Sequence, residues 1–317
     1  MRFGFPIPTR GPLGTLDVVR RLGQAADEYQ FDSIWVTDHI VIPKATGSKY
    51  PYSADGNMDL EAAAHYLEPL TVMSFLAGVT ERPAIGTSVL VMPYRNPILT
   101  AKMVATLDVM SRGRVILGVG VGWMREEFEA LGVTTYEQRG AVTDEYIRIL
   151  RALWTEEWPS FAGRFYSFEA VRCFPKPLQK PHPPVWIGGH TKAAIRRAAR
   201  LGDGWHPIGL RPPVGLQPEE FERAAAELRA QAKEAGRDPW SITLSLRAPI
   251  RFADGAASGS RMPFIGSSDQ IIEDIRTYQR LGVRHLIFDF GGASAEAIVA
   301  QLHRFAEEVK PAFRGRP

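Results

Sequence analysis

The chain has a single cysteine, Cys173, in 317 residues. That excludes an intramolecular disulfide and any Cys-x-x-Cys redox or metal motif, and leaves the thiol as a small, partly buried hydrophobe. No apolar run approaches the roughly 18 residues of a membrane span, and the opening Met1-Arg2-Phe3-Gly4-Phe5-Pro6 lacks the apolar core of a signal peptide. A cytoplasmic protein without a membrane partner is the expectation. The histidines His39, His65, His182, His190, His206, His285 and His303 never fall at His-x-His or His-x-x-x-His spacing, so no metal is expected. A Gly-x-Ser-x-Gly elbow is missing, and Cys173 has no obvious base, which sets nucleophilic catalysis aside. The 38 Lys and Arg are scattered among 35 Asp and Glu for a net charge of +3. Without a basic stripe interleaved with aromatics, no nucleic-acid partner is expected.

What the chain does have is alternation. Strand-like segments are predicted at residues 2–7, 33–36, 84–89, 115–121, 184–188, 204–207, 242–247 and 285–290, with helical patterns between them. Three of the apolar runs finish in Thr37-Asp38-His39, Gly86-Thr87-Ser88-Val89-Leu90 and Leu117-Gly118-Val119-Gly120-Val121-Gly122-Trp123. Small and polar residues at the ends of parallel strands are how a barrel enzyme assembles its active site. At 45% hydrophobic and 23% charged residues the chain can bury a large core. The expected fold is therefore α/β, a (β/α)8 TIM barrel with insertions at the C-terminal face of the strands, spanning residues 1–317 as one domain.

Four stretches exceed the minimal repeat: residues 39–66, 124–141, 156–183 and 249–267. All but the third follow a predicted strand and should lie over the barrel mouth. The third contains Phe161 to Phe168, which has the look of a hairpin, while Tyr50 and Tyr52 in the first either line a substrate site or merely hold their own loop. Gly118, Gly120, Gly122, Gly188 and Gly189 permit close approach of backbone to a flat or phosphorylated ligand. Gly-x-Gly-x-Gly at the fourth strand is not the dinucleotide fingerprint. Gly188-Gly189-His190-Thr191 precedes a helix, where it forms either an anion site or an ordinary turn capped by Thr191.

Taken in order, Val36 to His39, Glu68-Pro69-Leu70, Gly86 to Leu90, Arg95-Asn96-Pro97, Ala105 to Asp108, Ser111 to Arg114, Leu117 to Trp123, Glu127 to Gly132 and Pro184 to Gly189 resemble the luciferase-like monooxygenase family. The pattern is most similar to its branch of coenzyme F420-dependent oxidoreductases, and it covers nearly the whole chain. The resemblance implies hydride transfer between F420, an 8-hydroxy-5-deazaflavin, and a small-molecule substrate, with a reduced-FMN two-component monooxygenase or a non-catalytic flavin-binding barrel as the alternatives. It places Asp38 and His39 beside the redox ring as catalytic residues, with Asp38 bonding or polarising the ring and dispensable for folding. Ser88 and Val89 would form a bulge with a cis peptide beneath the ring, and Val121 and Gly122 would line its edge. Gly188, Gly189 and Thr191 would meet the cofactor phosphate, and Arg139 its anionic tail. A homodimer is also implied. Where sugar-phosphate dehydrogenases of the family carry a Glu acid, this chain has Trp123. An apolar wall from Trp123 and Trp186, rather than a sugar-phosphate site, is the expectation.

Overall fold

Strand β1 (Arg2–Pro6) buries Phe3 and Phe5 in the layer between sheet and helices, and the chain then enters the helix Leu16–Glu28. That helix begins where Thr15 accepts from the Val18 amide, and Val19, Leu22 and Ala26 face inward at helical spacing. The same unit recurs along the chain. A computed structural model of the protein describes residues 1–60, 65–253 and 261–313. Parts of two expected insertions, at 61–64 and 254–260, lie outside the described residues.

The remaining strands are β2 (Ser33–Val36), β3 (Ala84–Thr87), β4 (Leu90–Val91), β5 (Val115–Gly120), β8 (Val185–Gly188), β9 (Gly204–His206), β10 (Thr243–Phe252) and β12 (Val283–Phe290). Parallel pairing runs in the order β1, β2, β3, β5, β8, β9, β10, β12 and closes where Arg2 and Phe3 of β1 register with His285 and Leu286 of β12. The result is the closed eight-stranded (β/α)8 barrel that the alternation predicts. The hairpin also forms, as β6 (Phe161–Ala162) against β7 (Ser167–Phe168).

Two strands have other limits than the periodicity suggests, the first because of the bulge that the resemblance implies. β3 stops at Thr87 because Ser88 and Val89 bulge out of the strand, with the Ser88–Val89 peptide cis, before β4 resumes against β5. β10 continues to Phe252, and β11 (Ile265–Gly266) pairs with its end, so part of the fourth expected insertion is sheet.

Inside the barrel, Trp35 stacks on His206 with ring centroids 4.7 Å apart, and Trp186 and His285 complete the cluster. Trp186 is 5% exposed. It was expected in a wall at the mouth, but it sits on the second residue of β8, beside Gly118 and Gly204, and points into the barrel. A Cβ at Gly204 would meet its ring at 2.5 Å, so the glycine makes room for the indole.

Candidate active site

At the end of β2 three consecutive side chains take different partners. The Thr37 hydroxyl pairs with the Tyr66 hydroxyl and lies 3.2 Å from that of Thr9. The His39 Nδ1 lies 2.6 Å from Glu127 Oε2, while Nε2 has no partner among the described residues and is not sealed from solvent. Tyr66 and Trp123 meet the imidazole edge-on at 5.3 and 6.1 Å. Tyr50 packs on Trp123 at 5.3 Å, so the first insertion and the end of β5 supply an aromatic wall beside His39. Burial, then Tyr50, pushes the Tyr52 phenol up, and burial raises that of Tyr66, so both stay neutral.

Asp38 behaves differently from the expectation. Its carboxylate has no accessible surface; Arg95 donates to both oxygens, at 2.6 and 2.9 Å, and the Val91 amide to one at 2.8 Å. Burial pushes this carboxyl above its ordinary value against the pull of Arg95 and the amide. Arg95 also bonds Glu68, which caps the helix Pro69–Val79 by accepting from the Thr71 amide. Asp38 therefore contributes by tying β2 to β4 and the next helix, and its carboxylate is not free to bond a ring.

The bulge explains the glycines. A Cβ at Gly120 would meet Val89 Cγ2 at 2.3 Å, and one at Gly188 would meet Val89 Cγ1 at 2.6 Å. β5 and β8 thus lack side chains so that Val89 can lie across their ends. Gly188 was expected to approach a phosphate; the space it leaves is filled by Val89. Ser88 is held by a chain of hydrogen bonds whose direction can be read. Ser245 donates to the Trp205 carbonyl, so its oxygen accepts from His206 Nδ1, and His206 Nε2 accepts from Ser88. Arg247 donates to Ser88 Oγ and to its carbonyl, at 3.1 and 3.3 Å. Asp289 accepts from both Arg247 and Arg211; burial pulls the Arg247 guanidinium down, but the charge and hydrogen bonds of Asp289, with Tyr50 and Tyr66, together hold it above its ordinary value.

The turn after β8 has the features of an anion site. Gly189 sits at φ +93°, its carbonyl accepts from Trp205 Nε1, and Thr191 caps the helix Lys192–Leu201 by accepting from the Ala194 amide. No acidic residue lies in that helix's first turn. Beside it, His190 Nδ1 is buried without a partner among the described residues, and burial lowers its proton affinity. A phosphate would meet free first-turn amides there. Arg139 is half-buried, stacked 4.2 Å from the Tyr136 ring and bonded to the Gly122 and Tyr136 carbonyls, so two of its donors are spent on backbone. Val121 is half-buried at the end of β5, and Gly122 at φ +83° packs on Phe128 and Val91.

The sequence reading gave no role to Glu127, Tyr94, Arg247, Asp289 or His206. Glu127 and Arg95 stand within quoted motifs, which was the available signal. Among the described residues, no group of three or more His, Cys, Asp or Glu could hold a metal ion, and no helix is long and apolar enough to cross a membrane.

The luciferase-like monooxygenase family model matches residues 1–261. A phthiodiolone/phenolphthiodiolone dimycocerosates ketoreductase of Mycobacterium tuberculosis is 33% identical over 217 residues, 67% of this chain and 55% of that enzyme. Among solved structures, the monooxygenase RslO1 from Streptomyces bottropensis superposes with a TM-score of 0.79 at 22% identity, covering 99% of this chain and 100% of that one. An F420-dependent secondary alcohol dehydrogenase, in complex with an F420-acetone adduct, gives 0.73 at 18%, with 99% of each chain covered. At those identities the structures speak for the fold alone, while the family model spans most of the sequence. With that match over most of its length, on a closed barrel, the chain belongs to the luciferase-like monooxygenase family.

Proposed function

We propose that this protein is an F420-dependent oxidoreductase that interconverts a carbonyl compound and the corresponding alcohol. The observation that carries the reading is the Glu127–His39 pair beside an aromatic wall, 2.6 Å between Oε2 and Nδ1 with Nε2 left open. When bound, the deazaflavin supplies a hydride donor or acceptor, and its carbon in place of the flavin N5 disfavours oxygen activation. The chain's own part is the proton. Reduction of a carbonyl leaves an oxygen that needs a proton, which the His39 Nε2 is available to give; in the reverse direction it takes the proton of the alcohol. Tyr66 and Trp123 flank the imidazole, with Tyr50 packed on Trp123, so the substrate meets that nitrogen beside an aromatic wall. The first-turn amides after Thr191 suit the cofactor phosphate, with Gly189 allowing close approach, and Val89 offers an apolar surface to the ring. The ketoreductase relative supports the choice of a carbonyl substrate.

Titration of F420 and FMN by fluorescence at one ionic strength tests the reading. F420 is expected to bind more tightly. A clear preference for FMN, with oxygen consumption on reduction, would replace it with a reduced-FMN monooxygenase.

A further inference from the structure

We infer that Glu127 is a positioning residue that dictates which nitrogen of His39 carries the proton. The inference rests on the reading of His39 as the group that handles the substrate proton. Glu127 comes from the helix Arg125–Ala130, is wholly buried, and is met by three donors and by His39 Nδ1. The amides of Ile40 and Val41 reach Oε1 at 2.7 and 3.3 Å; the Tyr94 hydroxyl and His39 Nδ1 reach Oε2 at 2.9 and 2.6 Å. Burial and the charge of Glu127 hold the Tyr94 phenol well above its ordinary value, so its proton stays on oxygen. The two amides and the Tyr94 hydroxyl donate to this side chain, and an ionised carboxylate only accepts, so toward the ring as well Glu127 is the acceptor. Nδ1 must therefore carry the hydrogen of the 2.6 Å contact, and in the neutral ring Nε2 is the acceptor. The two amides also come from the residues following His39, so one carboxylate fixes both the turn of the chain and the rotation of the ring. The outcome is a histidine that faces the mouth as a base when neutral and as an acid when charged, at the same atom.

Glu127→Gln inverts this logic without changing the shape. The amide oxygen must face the two backbone donors of Ile40 and Val41, so the amide nitrogen falls toward Tyr94 and His39. Nδ1 then has to accept, and the ring proton moves to Nε2. We expect long-range 15N–1H spectra of histidine-labelled, cofactor-free protein, with His39 assigned by its substitution, to show protonated Nδ1 in the native chain and protonated Nε2 in Glu127→Gln. Turnover should fall at least about tenfold, with cofactor affinity within about twofold of the native value. A neutral Nε2–H ring in the native protein overturns the inference, whether or not the variant folds. So does a reversed ring with undiminished turnover, or lost turnover with the ring unchanged. Because the spectra are taken without cofactor, a preference for FMN would sink the proposed function and leave this measurement standing.

Discussion

Removing the Asp38 side chain would leave Arg95, only 11% exposed, without its bidentate partner and the buried Val91 amide without an acceptor. Breaking a buried pair on one side costs about 3 kcal/mol, so Asp38→Ala is expected to lose that much stability by urea denaturation. This reverses the expectation that the residue is dispensable for folding; a loss under about 1 kcal/mol would return the carboxylate to a chemical role. At the phosphate turn the informative pair is Gly189→Asp against Gly189→Asn. Both meet the φ of +93° and the Ala194 methyl 3.2 Å from a Cβ, so their strain is shared and only the charge differs. Cofactor affinity should be weaker in the Asp variant by at least about tenfold, and the gap should narrow with salt, since a repelled phosphate is screened. Equal affinities would make the turn purely structural. His39 was legible because strand ends carry the chemistry of a barrel. Glu127 was not: an acidic residue in the first turn of a short helix has the pattern of a solvated face, and nothing linear announces a bond across 88 residues.

Among the elements, the third strand and its neighbours form one device. Gly188→Ala would set a methyl 2.6 Å from Val89 Cγ1, and the backbone there cannot yield because β8 is paired on both sides. Overpacking of this kind costs about 1–3 kcal/mol; the expected outcome is a modest loss in thermal stability with a larger loss in cofactor binding, as Val89 is pushed toward the ring. The double variant Gly188→Ala/Val89→Ala should recover the stability, and failure to do so would show that the crowding lies elsewhere. The glycine-rich strand ends were plain in the sequence, yet their purpose was not. A glycine records that something comes close, and only the fold tells that the visitor is Val89 of the bulge after β3 rather than a ligand. The extension of β10 to Phe252 was equally hidden, because Pro249 inside the run suggests an ending.

Across the whole molecule, the barrel interior is polar at its centre. Burial holds His206 and His285 down to about 3, with Arg247 adding to the effect on the first and Arg2 on the second. In the unfolded chain each takes up a proton near pH 6.5. Between that pH and about 3 the unfolded state binds protons that the barrel refuses, so stability falls as pH drops through this window and is fully present above it. The slope is on the order of 1 kcal/mol per pH unit for each histidine. Urea midpoints at pH 7 and 5 should differ accordingly, and His285→Gln, whose amide oxygen can still accept from Ser33, should flatten the slope. A midpoint that does not move would mean that these rings charge inside the fold. The barrel class was readable from the order of its elements. Its histidine-lined interior was not, since a lone polar residue in a short strand gives no sign of which way it faces.

The closure of the barrel also orders events in time. β1 is made before the other barrel strands, but one of its two edges is satisfied only by β12, some 280 residues later. Through most of synthesis that edge is bare backbone beside Phe3 and Phe5, a template for pairing with another chain. Contacts of such long range form slowly. Chains stalled before Val283 should therefore be the ones that aggregate, and chains that have completed β12 should not.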